Sequence, residues 1–203
     1  MNFKIAGPSR ALGYALALCT FVEMSSAVSR TDKVCNRDGS HDFDFALGLW
    51  KASISRRLHP LSGSTVWAHY TGRTSVTPVW NGRAELVQLE ADGSAGHIEF
   101  LSLRLYNPQK CEWSLYYANS ADGTLSPPVT GSFSSSRGEF HGHDRLNNRP
   151  ILVRQVISAT ANSLHLEQAF SADHGHSWEV NFVETLTRLK ADSDGIAGNP
   201  KKS

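Results

Sequence analysis

Among the residues able to do chemistry, Arg104 stands out. It alternates in register with Ile98, Phe100 and Tyr106, so an extended segment would place the guanidinium on an apolar face. A buried arginine needs partners. One reading makes Arg104 the anchor for a ligand carboxylate, with Tyr106, Trp113 and Tyr117 as amphipathic walls and Glu167 as a further polar group. The other closes it in an internal ion pair with Glu167 or Glu184. A second cluster is His141-Gly142-His143-Asp144, where two imidazoles share a strand face at a spacing that can hold zinc or copper, with His174 or His176 as a third ligand. No HExxH or C-x-x-C fixes a ligand set, so solvated turn histidines are the expectation and no metal or cofactor is assigned. His69 and His165 would be the candidates for holding haem by one axial ligand, but ordinary hydrogen-bonded imidazoles explain them equally. No Gly-x-Ser-x-Gly elbow accompanies the serines, which leaves catalytic residues unassigned.

The elements that must position these residues are strands. From Leu49 onward, runs rich in Val, Ile, Thr, Tyr, Phe and Trp recur between Gly, Pro, Asn and Asp at about 8–12-residue spacing. Eleven runs are expected: 49–58, 65–71, 75–80, 84–90, 97–106, 112–119, 129–134, 139–144, 151–158, 163–170 and 177–189. In the last of them Trp178, Val180, Phe182, Glu184 and Leu186 should share one face, with Glu179, Asn181, Val183 and Thr185 on the other. Trp80-Asn81-Gly82, Ala91-Asp92-Gly93, Tyr106-Asn107-Pro108 and Ala121-Asp122-Gly123 supply the breaks. Short turns between consecutive strands make antiparallel neighbours, and a barrel removes the exposed edges that an open meander would leave. The fold class expected is all-β, an antiparallel up-and-down barrel of about 8–11 strands.

Composition bounds the partners. The 203 residues are 40% hydrophobic and 19% charged, which suits one packed domain, and 20 basic against 19 acidic side chains give no field for a phosphate backbone. Nucleic acid is therefore excluded as an expected partner. Lys4 and Arg10, an uncharged 12-residue run from Ala11 to Val22, and the small residues Ser25-Ser26-Ala27 make a secretory signal peptide over 1–27. That run falls short of the ~20 residues a membrane-spanning helix needs, so no permanent membrane anchor is expected. An exported, periplasmic or secreted protein would keep 18 basic and 18 acidic side chains, a lead-in over 28–40, a barrel over 41–190 and a disordered tail over 191–203. It would also keep Cys35 and Cys111, which can pair in an oxidising compartment if their Cα atoms approach within about 7 Å.

Near the first strand the chain reads His41-Asp42-Phe43-Asp44-Phe45-Ala46-Leu47-Gly48-Leu49-Trp50. Downstream come Ser102 to Pro108, Glu112-Trp113-Ser114, Pro127 to Phe133, Glu167 to Ser171 and Trp178 to Asn181. Their order resembles a bacterial domain-of-unknown-function family of lipocalin-like (calycin) barrels, over roughly His41 to Leu189. Gly48-Leu49-Trp50 resembles the Gly-x-Trp with which calycin barrels open. The resemblance implies that Trp50 closes one end of the barrel, with Arg188 stacked over it in a cation-π contact of about 0.5–2 kcal/mol. It also implies a cavity without naming a reaction. The functional expectation is a barrel that binds a small, largely apolar molecule inside. The alternatives are an isomerase or hydrolase built on the same barrel, or a filled barrel serving as an interaction module.

Overall fold

The computed structural model describes Cys35 and residues 37–189, so the leader expected over 1–27, most of the lead-in and the tail over 191–203 lie outside the described residues. Ten antiparallel strands form a closed barrel: β1 (Gly48–Arg57), β2 (Trp67–Val79), β3 (Ala84–Gly93), β4 (Gly96–Asn107), β5 (Glu112–Asn119), β6 (Val129–Ser134), β7 (Arg137–Leu146), β8 (Arg149–Ala159), β9 (Ser163–Ser171) and β10 (Glu179–Arg188). Each strand pairs with its sequence neighbours, and β1 pairs with β10 to close the sheet. Among the described residues no helix is long and apolar enough to cross a membrane.

Ten strands replace the eleven expected runs because Thr65–Thr71 and Ser75–Trp80 belong to one continuous strand, β2. Gly72, in the gap between those two runs, sits mid-ladder opposite Ala91, where a Cβ would lie 1.9 Å from the carbonyl oxygen of Glu90. This glycine permits close strand approach instead of ending the strand. The β2–β3 hairpin does turn at the Asn-Gly signal, with Trp80, Asn81 and Gly82 all at positive φ.

One end of the barrel is packed solid. The segment before β1 crosses it, with a 3-10 turn at Asp44–Ala46 and with Phe43 and Ala46 fully buried. Phe43 meets Trp113 and Phe133 edge-on at 5.0 and 4.8 Å between ring centroids, and Phe140 lies 5.9 Å away. Trp50 is buried beside them, its Nε1–H donating to the Ala46 carbonyl at 2.7 Å. Arg188, the ladder partner of Trp50, lays its guanidinium 4.0 Å from the indole centroid. It also donates to the carbonyls of Leu47 at 2.9 Å and Phe45 at 2.6 Å. One side chain thereby fixes the plug, the incoming segment and the β1–β10 closure together. A disulfide joins Cys35 to Cys111 in the β4–β5 turn, with Cα atoms 5.5 Å apart, and ties the lead-in to the same end.

Replacing Arg188 by Ala removes two charge-assisted hydrogen bonds and the contact with the indole. Because the side chain is exposed, urea unfolding should show a loss of about 1–2 kcal/mol in midpoint stability with an unchanged m value. Arg188→Lys should recover little of it, since an ammonium cannot bridge both carbonyls while lying flat on the ring.

Candidate functional site

Toward the other end the barrel interior stays open, as a cavity of about 360 Å³. Its walls are the inward-facing alternates of most strands, apolar over much of their area: Val87 and Leu89 on β3, Phe100 on β4, Val153 on β8, Leu166 and Phe170 on β9, and Phe182 on β10. The rim carries Arg56, Arg57, Pro60, His143 and Asp144. Arg57 is committed there. It donates to the carbonyls of Ser64 and Val180 and stacks 4.8 Å from the Trp67 centroid, while Glu179 accepts from the Leu61 N–H at 2.7 Å. These contacts hold the β1–β2 loop beside the mouth. A smaller hollow of about 280 Å³ beside that loop shares Pro60 and Leu146 with the main cavity.

Arg104 points inward and lines the cavity, 5% exposed. Its ion-pair partner is neither Glu167 nor Glu184 but Glu85, directly across the β3–β4 ladder, with Arg104 Nη1 donating to Oε2 at 3.0 Å. The guanidinium also stacks 4.3 Å from the Phe43 centroid, which joins the polar interior to the aromatic plug. Glu85 is fully buried, and burial pushes its carboxyl up to about 7 even though Arg104 opposes the shift. Glu184 on β10 lines the cavity, and burial pushes it up to about 7 as well, against the nearby charge of Arg104 and a hydrogen bond from Thr74 Oγ1 at 3.3 Å. The interior thus holds one guanidinium and two carboxyls that resist ionisation.

A hydrogen-bonded rung runs along the wall from β5 to β10. The Tyr117 hydroxyl donates to Gln155 Oε1 at 2.6 Å, Gln155 Nε2 to Gln168 Oε1 at 2.8 Å, and Gln168 Nε2 to Asn181 Oδ1 at 2.9 Å. All four side chains line the cavity. Burial raises the Tyr117 hydroxyl above its ordinary value, so it stays a donor.

Several expected site residues lie elsewhere. Tyr106 and Trp113 face inward but belong to the closed end: their rings pack together at 5.4 Å, Trp113 Nε1 donates to the Gly39 carbonyl, and the Tyr106 hydroxyl accepts from the Gly39 N–H. They wall off the plug, not the cavity. Glu167 alternates with the cavity-lining Leu166 and Gln168 and so projects from the outer face. His69 and His165 are on the outer face too, bonded to Ser55 and Thr185. His141 is engaged by Glu139 at 2.9 Å and sits edge-on to Trp178, while Asp173 is held well below the usual carboxylate range by Ser171 and Ser177 within its own turn. Among the described residues no group of three metal-ligating side chains assembles.

Asn181 was expected on the face opposite Phe182 and Glu184. A bulge between Val180 and Phe182 adds a residue to β10, so Asn181 turns inward along with Phe182 and is 3% exposed. Glu85, Gln155 and Gln168 went unsingled in the sequence, although each carried a signal. Glu85 alternates in step with Val87 and Leu89, Gln155 with Val153 and Ile157, and Gln168 with Leu164 and Leu166.

No family model matches the chain. No curated protein matches it either. Among solved structures, the S-type phycobiliprotein lyase CPES from Guillardia theta superposes with a TM-score of 0.50 at 12% sequence identity, over 77% of this chain and 95% of the lyase. The fold is a lipocalin-like barrel. The finer likeness to a bacterial family rests on the sequence blocks alone.

Glu184 gives the site a pH signature. Its folded value near 7 exceeds the ordinary 4.5, so the native state holds a proton that the unfolded chain releases between those values. The associated stability is complete below about 4.5 and is lost as pH rises through about 7. Comparing chemical unfolding at pH 5 and pH 7.5, wild type should lose roughly 1–3 kcal/mol more than Glu184→Gln over that interval.

Proposed function

We propose that the protein is an exported carrier that binds a small, largely apolar molecule inside its barrel. The observation that carries this reading is the cavity of about 360 Å³, with mostly hydrocarbon walls and a few convergent polar groups. That combination of size and lining is the usual form of a small-molecule site. It also argues against the filled barrel serving as an interaction module, because the interior beyond the plug is not filled by its own side chains. The neighbouring lyase is a protein of other sequence, and its likeness supports the barrel rather than a shared substrate.

Export is supported by two independent features. The first 27 residues have the order of a secretory leader, and the Cys35–Cys111 disulfide suits an oxidising compartment. The ligand-facing polar residues in this reading are Arg104, Tyr117, Gln155, Gln168, Asn181 and Glu184. One observation favours turnover as a second reading: Glu184, a cavity carboxyl near 7, is poised to exchange a proton at neutral pH. Turnover would require a bound molecule recovered chemically altered, with the alteration abolished in Glu184→Gln.

The neutral fluorophore N-phenyl-1-naphthylamine tests the carrier reading. Wild type should bind one equivalent with enhanced emission. Val153→Trp, which pushes an indole into the cavity, should weaken binding at least tenfold while the protein still unfolds cooperatively. Unchanged affinity in that variant would remove the interior as the site.

A further inference from the structure

The cavity's polar groups are unequal in kind, and the inequality selects a ligand. Three buried cavity-lining side chains keep polar atoms without a hydrogen-bond partner among the described residues: Asn181 Nδ2, Arg104 Nε and Ser102 Oγ. Asn181, Arg104 and Ser102 are 3, 5 and 6% exposed, so bulk water does not serve them. Two of these atoms can only donate, and the third donates readily. Native proteins leave few such groups unpaired, because each costs about as much as a lost hydrogen bond. The fourth unpartnered buried atom, Glu85 Oε1, is an acceptor, but Glu85 is no part of the cavity wall.

The rung strengthens the asymmetry. From the Tyr117 hydroxyl through Gln155 and Gln168 to Asn181, every bond points the same way, so each amide polarises the next and the chain ends in the free N–H groups of Asn181 Nδ2. The charge ledger points in the same direction. Arg104 is already paired with Glu85, and Glu184 lines the same cavity. An incoming carboxylate would find the one buried guanidinium already committed to Glu85. An incoming ammonium would face a Glu184 carboxyl that burial holds toward its neutral form.

We infer that the ligand is uncharged and carries a hydrogen-bond acceptor, a carbonyl oxygen, that takes the donors left free at Asn181 and on the Ser102–Arg104 edge of β4. This rests on the carrier reading above and sharpens it. The apolar walls hold the hydrocarbon body, and the donors orient the oxygen. It departs from the simpler expectation that Arg104 anchors a carboxylate.

Four size-matched naphthalenes separate the possibilities by displacement of N-phenyl-1-naphthylamine: 2-acetylnaphthalene, 2-ethylnaphthalene, 2-naphthoate and 2-naphthylmethylammonium. The ketone should bind about tenfold more tightly than the ethyl compound and than either ion. In Asn181→Leu its advantage over the ethyl compound should fall to about threefold or less. Ser102→Ala, which removes a small hydroxyl opposite Tyr117 in the β4–β5 ladder, provides a second variant, and there the same advantage should narrow. Equal binding of ketone and ethyl compound, or a ketone advantage undiminished in every variant that folds, overturns the acceptor inference and leaves the carrier reading standing. Tightest binding by either ion also overturns it, in favour of ion pairing at Arg104 or Glu184. Failure of the fluorophore and all four compounds to bind overturns the carrier reading as well.

Discussion

A sheet rolled into a tube has two ends, and its interior becomes a useful cavity only if one of them is stopped. Here the stop is the contact between Trp50 and Arg188. The indole fills the base, and the guanidinium covers it while bonding to the two carbonyls of the segment that crosses below. The two residues are ladder partners in the β1–β10 pairing, so the same contact also lies on the seam that closes the barrel. Everything nearer the mouth inherits its geometry from this end. Phe43, positioned by the crossing segment, packs against Trp113 and Phe133 and presents its face to Arg104.

From that aromatic floor the interior changes character by steps. Arg104 and Glu85 form a paired layer just above it, and Glu184 and Thr74 add a second polar contact across the tube. Above them the Tyr117–Gln155–Gln168–Asn181 rung runs along one wall, and aliphatic and aromatic side chains fill most of the rest. Burying so many polar groups is unfavourable unless they are satisfied, and most of them satisfy one another. A purely structural core of this size would be more stable if it were apolar. Most of the groups left over belong to side chains that line the cavity and are mainly donors, which is the pattern of a site shaped for a visitor.

Much of this was legible in the sequence because alternation is a strong signal when one face of a sheet is dry. Strand identities and the inward direction of Arg104 follow from period-two patterning, and closure from the edges an open meander would leave. Gly72 misled because a glycine that admits a close neighbour looks the same as a glycine that ends a strand. Asn181 misled because a single-residue bulge reverses the facing of everything before it, and bulges leave no mark in composition. Tyr106 and Trp113 were read correctly as interior but placed at the wrong height, since alternation gives facing and not depth along the axis. The partner of Arg104 could not be chosen among acidic residues until strand register was fixed, and register put Glu85 directly opposite.

The central claim is that a small apolar molecule enters the tube from the end away from Trp50 and lodges among the side chains of its wall. Methyl-resolved NMR during titration with N-phenyl-1-naphthylamine tests this most directly. The account predicts saturable shifts at Val87, Leu89, Val153 and Leu166, with intermolecular contacts to the same methyls and little change at exposed Leu49 and Leu101. Shifts confined to Leu49, Leu101 and other outer-face methyls, with the interior set unmoved at saturation, would contradict it.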